Sequence, residues 1–376
     1  MKLFNSFFAI SLLALFLVSC SDDNEEEVVL PNEDINLQLE LGNKIDLKPE
    51  TTELSNDDVF FEWTMNGEVV SNTKNYSFAA DKVGTYQIEF LGKTSNMMMQ
   101  KTYEILVYRL RGITDSSSAY LSSILEYKPA PGQFINKGFG LMADALDMVG
   151  KPKANLCTLG GFGGYISASF DHSILNKKGS DLVVYGNAFA GSSEPGIVMV
   201  SFDYNANGKA DDEWYELAGS EYNAEKTIHN YEITYTNPHG YKDVPWTDNQ
   251  GNSGVVKINE YHLQPYFPEF LDAETLTFKG TLLETKTDLN YQHSTYGTIV
   301  YNLAREWGYV DNYSIEYPAL KGNEFDFDWA VDNEGNKVEL PGVDFIKIYT
   351  ATNTDGGCLG ENSTEIMGAG DLSMLK

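Results

Sequence analysis

The run Val59-Phe60-Phe61-Glu62-Trp63-Thr64-Met65 leads directly into Asn66-Gly67, and Val69-Val70 follows on the other side. A two-residue turn of this kind needs positive φ at both positions, which Asn and Gly tolerate, so the segment reads as a tight β-hairpin. Tyr76-Ser77-Phe78 and Gly84-Thr85-Tyr86-Gln87-Ile88-Glu89-Phe90 then alternate apolar and polar, the period of a half-buried strand. Tyr103-Glu104-Ile105-Leu106-Val107 closes the series. The Met97-Met98-Met99 run reads as part of a strand with one methionine exposed. Residues 31–112 are therefore expected to form a small antiparallel sandwich.

Thr114-Asp115-Ser116-Ser117-Ser118 carries linker chemistry, and Pro129-Ala130-Pro131-Gly132 breaks the chain again. Residues 137–149 suit one short helix or a loop. Strands are expected over 165–170, 181–185, 196–202, 214–217, 229–236, 276–279, 326–331 and 344–349. Eight or so strands joined by long irregular loops, with no internal repeat, point to a jelly-roll-like β-sandwich over residues 118–376. The fold class is all-β.

The N-terminus is not part of this fold. Lys2 precedes an apolar stretch that ends Leu17-Val18-Ser19-Cys20. Residues 1–19 read as a lipoprotein signal peptide, too short to span a membrane as a stable helix, with Cys20 as the lipid-bearing first residue of the mature chain. Ser21-Asp22-Asp23-Asn24-Glu25-Glu26-Glu27 opens an acidic tether over residues 20–30, too charged to pack a core. The net charge of -29, from 55 acidic and 26 basic residues, argues against nucleic acid or an anionic membrane surface as a partner. Membrane attachment is expected through the lipid alone. Beyond Cys20 only Cys157 and Cys358 remain, and in an oxidising compartment they are expected to pair.

The sharpest chemical motif is Asp203-Tyr204-Asn205-Ala206-Asn207-Gly208-Lys209-Ala210-Asp211-Asp212-Glu213. Oxygen side chains at alternating positions before a glycine are what a calcium loop needs. Asp203, Asn205, Asn207, Asp211, the Lys209 carbonyl and Glu213 or Asp212 are the expected ligands of a structural calcium ion. The twelfth position is Trp214 rather than Glu, and strands flank the loop where an EF-hand has helices. Asp332-Asn333-Glu334-Gly335-Asn336 reads as a hairpin turn.

Gly160-Gly161-Phe162-Gly163-Gly164 matches neither nucleotide-binding glycine pattern and reads as a bend where backbones approach closely. Gly191-Ser192-Ser193-Glu194-Pro195-Gly196 carries Pro195 where a serine-hydrolase elbow needs its second glycine, and a strand begins where the elbow needs a helix; Glu194 is expected to hydrogen-bond within its loop. The five histidines lack zinc-site spacing. In so acidic a chain the sequence does not single out a catalytic carboxylate pair. Aromatics interleaved with amides stand out instead: Trp246, Asp248, Asn249, Gln250 and Tyr266, with Trp307 and Tyr309 as a second patch. Rings and amides together suit a large, flat ligand with polar edges. Loop aromatics that fold back to pin their own loops are the alternative.

The tryptophan strand, Asn-Gly turn and Gly-Thr-Tyr strand of the first domain resemble a PKD/immunoglobulin-like module. With the Ser21–Glu27 acidic run, Pro131–Asn136, Leu159–Tyr165, Gly186–Phe189, Ser192–Gly196, Trp246–Gly251 and Ser363–Gly368, the chain resembles a group of Bacteroidetes cell-surface lipoproteins associated with cobamide (cobalamin) acquisition. That resemblance implies a non-enzymatic binder on the outer face of the outer membrane. It would pass cobamide to a TonB-dependent transporter and its associated surface lipoproteins. A surface glycan-binding protein is the alternative, since aromatic platforms and calcium suit sugars equally well. A calcium-dependent glycoside hydrolase is the third reading.

Overall fold

The computed structural model describes residues 28–54, 58–294 and 297–375. Cys20 and the acidic residues through Glu27 lie outside the described residues. The chain divides into two compact units, the first ending at Leu106 and the second holding Lys82–Gly84 and the chain from Val107 onward. The boundary falls before the expected linker because Arg111 already belongs to the second unit. Its guanidinium is ion-paired with Asp344 at 2.8 Å, and its backbone N–H donates to the Ser173 hydroxyl.

In the first unit the strands run Val28–Val29, Met97–Tyr108, Gly84–Lys93, Phe60–Met65 and Glu68–Ser71 across one sheet, with Glu33–Glu40 also paired to Met97–Tyr108. Lys44–Leu47 and Tyr76–Ala79 form a small second sheet. Val28 and Val29 pair in parallel with Met97 and Met98, so the end of the expected tether is already in the sheet. Asn66 and Gly67 have φ of 54° and 77°, as the tight hairpin requires. Trp63 is fully buried. Its indole packs against Phe90, Tyr103 and Tyr76, and its Nε1 donates to the Thr73 carbonyl at 2.9 Å.

The second unit is built on a six-stranded antiparallel sheet. Its order is Ala330–Val331, Tyr215–Leu217, Gly196–Ser201, Gly342–Thr350, Tyr165–Leu175 and Ser123–Lys128. A four-stranded sheet holds Cys157–Thr158, Glu365–Asp371, Leu182–Gly186 and Gly322–Phe325. Ile166, Phe170, Val198 and Ile346 of the first sheet share one core with Leu182, Val184, Phe325 and Ile366 of the second. This is the expected β-sandwich.

A third sheet was not anticipated: Ser253–Val256, Val244–Asp248, Ile228–Thr236 and Thr275–Leu282. Its own core includes Phe162, Tyr231, Tyr235 and Phe278. It covers the other face of the six-stranded sheet, where the Tyr349 hydroxyl accepts from the Thr281 N–H at 2.9 Å. That explains why strand Gly342–Thr350 is buried along nearly its whole length on both faces.

Among the described residues the helices are short, Met142–Asp147 and Tyr317–Leu320, and neither is long and apolar enough to cross a membrane. The expected strand over 326–331 is mostly a 3₁₀ turn at Phe327–Trp329. Asp326 caps it by accepting from the Asp328 N–H at 2.9 Å. The glycine run behaves as a close-approach bend. A Cβ on Gly164 would sit 1.9 Å from the Leu159 carbonyl oxygen.

Candidate functional site: two clefts and a buried acid cluster

The first cleft has a volume of about 150 Å³. It lies between the hairpin Val244–Val256 and the loops around Asn353–Asp355 and Gly360–Glu361. Trp246 forms a wall. Its strand partner is Gly254, where a Cβ would meet the indole at 2.5 Å, so the glycine gives the ring its place. Lys257 and Asp355 form an exposed ion pair of 2.9 Å on the lining. Glu361 also lines the cleft and is nine-tenths buried. One carboxyl oxygen accepts from the Gln133 N–H at 2.8 Å, and the other has no protein partner. Burial pushes this carboxyl up to about 8, with the charges of Glu365 and Asp355 adding to the effect. At neutral pH it is mainly protonated, able both to donate and to accept.

Behind it lies an acid cluster. Carboxylate oxygens of Glu194, Asp311 and Glu365 come within 4.8 Å of one another. This is the geometry of a site that could hold a metal, yet the carboxylates are already engaged. Asp311 accepts backbone N–H groups from Asn187 and Glu365. Glu365 accepts from the Thr158 hydroxyl at 3.2 Å and is hydrogen-bonded to Glu194. Burial raises Glu194 and Asp311, and lifts Glu365 to about 7. The hydrogen bond between Glu194 and Glu365 requires a proton on one of them, which lowers the negative charge of the cluster.

The second cleft, of about 240 Å³, lies where strand Tyr215–Leu217 and the centre of strand Gly342–Thr350 meet the third sheet. Glu216 lines it, accepting from the Thr281 hydroxyl at 2.7 Å. Burial lifts Glu216 to about 7. Trp214, Tyr222, His229, Lys279 and Lys347 share the lining.

In the loop following strand Gly196–Ser201, Asp203 is buried and accepts from the N–H groups of Asn207 and Gly208 at 3.0 and 2.8 Å. The Asn205 amide bridges Asp211 and Asp212, each at 3.1 Å, and the Asn207 amide reaches both oxygens of Asp211. Burial beside Asp203 and Asp211 lifts Asp212 to about 6. Glu213 points elsewhere, receiving the Tyr215 hydroxyl, so Asp212 replaces it in the loop's acid set. Lys209 is exposed and its N–H donates to Asn207. Asp332 closes its own turn, accepting from the N–H groups of Glu334 and Asn336, as expected.

Of the expected ligand residues, only Trp246 lines a cleft described here. Tyr266 and Tyr309 are fully buried, their hydroxyls accepting from the N–H groups of Asn259 and Glu221. They are core residues and offer no surface to a ligand. Asp248 accepts from the N–H groups of Gln250 and Asn252 and from the Tyr231 hydroxyl. Asn249 donates to the Asn230 carbonyl, and the Gln250 amide donates to Asn249. All three hold a hairpin turn. Trp307 is partly exposed but lies against Trp329. Cys157 is a free thiol, so the expected bridge to Cys358 is not formed. It is buried in the sandwich core beside Tyr127, and burial pushes it up to about 12.

Glu361, Glu365, Glu216 and Lys347 were missed by sequence reasoning. A signal for the first two existed: from Gly356 to Gly370 they are the only charged residues.

A PKD-like domain family model matches residues 27–94. The first unit is a PKD-like domain, followed by a larger β-sandwich-type body. No curated protein sequence matches the chain. Among solved structures, the PKD domain of human KIAA0319 is 16% identical, covering 26% of this chain and 98% of that one, with a TM-score of 0.19. A SusE-like protein is 9% identical over 83% of this chain and 88% of its own, with a TM-score of 0.22. A quinoprotein alcohol dehydrogenase-like protein of Bacteroides thetaiotaomicron is 13% identical over 61% of this chain, with a TM-score of 0.18. The match spans 39% of that protein's length.

Proposed function

We propose that this protein is a lipid-anchored cell-surface binder of glycans, held to the outer membrane through Cys20, with its ligand site in the Trp246 cleft. The observation that carries the reading is Glu361. Its carboxyl is buried and mainly protonated at neutral pH, and one oxygen has no protein partner in a cleft walled by an indole. An unsatisfied polar group in a buried position is costly unless something binds there. A sugar ring supplies both complements, hydroxyls for the carboxyl and a C–H face for the indole. The PKD-like unit would act as a spacer, and handover to an outer-membrane transporter would follow capture.

The cobamide reading has weaker support. It relied on a platform of Trp246, Tyr266, Trp307 and Tyr309, and two of these are interior. A cleft of about 150 Å³ is also below the roughly 300–1,000 Å³ of sites that enclose a drug-sized molecule. A single sugar ring suits it better than a corrin.

One observation favours a hydrolase as the second reading. Asp355 and Glu361 line the same cleft, the former ion-paired and the latter mainly protonated, as an acid and its partner carboxylate would be.

The test is a glycan array with the mature, unlipidated chain, followed by calorimetry on the best neutral glycan and on cyanocobalamin. A glycan ligand whose affinity falls by about 2 kcal/mol in Trp246→Ala is expected. Tight cyanocobalamin binding with an empty array would overturn the reading. Release of reducing ends from the bound glycan would replace it with the hydrolase.

A further inference from the structure

The second cleft has a chemical character opposite to the first. In a chain with 55 acidic and 26 basic residues, two lysines are among its lining residues, Lys279 and Lys347. Neither has a carboxylate within ion-pair distance among the described residues. The Lys347 Nζ lies 4.1 Å from the Tyr165 ring centroid. Glu126, the carboxylate whose charge acts on Lys347, is bonded to the Tyr165 hydroxyl at 2.6 Å. Lys347 is partly desolvated, which lowers its proton affinity and raises what it gains from an anion.

The remaining lining defines the rest of the ligand. Trp214 and Tyr222 provide ring faces. His229 packs against Tyr222 with ring centroids 4.4 Å apart, and its Nδ1 is 3.3 Å from the Thr281 hydroxyl, which donates to Glu216. Asp332 also lines the cleft, but its carboxylate is taken up by Asn336 and by its own turn.

We infer that this cleft is a second binding site, separate from the Trp246 cleft, for a carboxylate-bearing ring of the uronic-acid class. Lys279 and Lys347 receive the carboxylate, Trp214 and Tyr222 receive the ring, and the Glu216 carboxyl, when protonated, donates to the ligand. Lysines act as point charges without the bidentate fork of arginine, which leaves discrimination to the aromatic wall and to Glu216. Inorganic phosphate would satisfy the charges and waste the rings.

Protonation of Glu216 makes the binding pH-dependent. Its titration at about 7 sits among Lys347 and Tyr349 on one strand, Lys279 and His229 on the third sheet, and Tyr222 and Asp332 on the adjoining segments. Ionised Glu216 repels the incoming carboxylate.

The experiment is calorimetric titration of the mature chain with trigalacturonate, its neutral methyl ester and inorganic phosphate, each at pH 6 and pH 8. Trigalacturonate should bind, the ester and phosphate should bind at least tenfold more weakly, and affinity should fall about tenfold from pH 6 to pH 8. Lys279→Met, at an exposed position, should weaken binding several-fold while leaving the melting temperature in place. Glu216→Gln should abolish the pH dependence. A neutral glycan held in the Trp246 cleft should not displace trigalacturonate. Equal binding of phosphate, an unchanged dissociation constant in Lys279→Met, a pH dependence that survives Glu216→Gln, or displacement by the neutral glycan would each overturn the inference. None of these results bears on whether the neutral glycan itself binds.

Discussion

Replacing Glu361 with Gln should turn a pH-dependent weakness of the second unit into a pH-independent one. The carboxyl is raised from 4.5 to about 8 by burial. The folded protein therefore holds a proton there that the unfolded chain gives up above pH 4.5. Wherever the native state binds more protons, stability falls as pH rises. The loss begins near the unfolded value and continues until the folded value is reached. Each pH unit in that window is worth about 1.4 kcal/mol, so the wild-type loss between pH 5 and pH 7 from this one group is at most about 3 kcal/mol. Water in the cleft will reduce that figure. Gln keeps an oxygen for the Gln133 N–H and carries no titrating group. Urea unfolding of wild type and Glu361→Gln at pH 5 and pH 7 gives the difference directly. The variant should be near wild type, or somewhat weaker, at pH 5, and should gain about 1–3 kcal/mol relative to wild type by pH 7. Glu365 and Glu216, both lifted to about 7, push wild-type stability in the same direction and remain in the variant. His172, raised by Asp371 and Asp171, adds stability that is lost as pH rises through its folded value, also in both proteins. The difference between the two proteins therefore reports Glu361 together with its electrostatic coupling to Glu365. A gap of the same size at both pH values would refute the reasoning, because the buried carboxyl would then not be changing charge in that window.

Three further outcomes are expected. We propose that calcium binds the Asp203–Asp212 loop. If so, calcium at about a hundred times its Kd should add about 2.7 kcal/mol and raise the Tm, and EGTA should reverse it. No shift in a calcium titration would leave the loop as a hydrogen-bonded hairpin. Trp63→Ala should cost the PKD-like unit about 3–5 kcal/mol, because a fully buried indole and its bond to Thr73 are lost. A change below about 1 kcal/mol in that unit's own unfolding transition would contradict the packing. Asp344→Ala should cost the second unit about 3–5 kcal/mol, since this buried carboxylate receives Arg111, the Ser173 hydroxyl and the Asp203 N–H. Chemical denaturation of the variant checks it, and a near-neutral result would mean that Arg111 finds water instead.

What the sequence made legible was local. The Asn66-Gly67 hairpin, the glycine bend at 160–164 and the Asp332 turn each depend on a few consecutive residues, and each has the conformation its residue types require. The alternation of Gly84–Phe90 placed a strand, because a period of two is visible without knowing the partner strand. The third sheet escaped because Val244–Asp248 and Ser253–Val256 are short and rich in Pro, Gly and polar residues. They count as strands only because their neighbours pair with them. Asp326–Val331 erred the other way, where one aspartate cap converted a strand-like composition into a 3₁₀ turn.

The binding residues failed for a different reason. Trp246 and Tyr266 both stand in aromatic, amide-rich sequence, yet one lines a cleft and the other is sealed in a core. Burial is decided by which distant segments close over a side chain, and no window of consecutive residues contains that information. The carboxylates make the point more sharply. Glu194, Asp311, Glu361 and Glu365 act on one another although they span 171 residue positions. Among 55 acidic residues most are solvated, and a buried one has no signature of its own. The isolation of Glu361 and Glu365 in an otherwise uncharged stretch is the exception that physical reasoning can use. Charge is placed there against the local composition, and burying a carboxyl is tolerated only where a hydrogen-bond network or a ligand compensates it. Glu365 has the network in Thr158, Ser363 and Glu194. Glu361 has half of one, the Gln133 N–H on one oxygen and nothing from the protein on the other, which is why we propose the ligand site there.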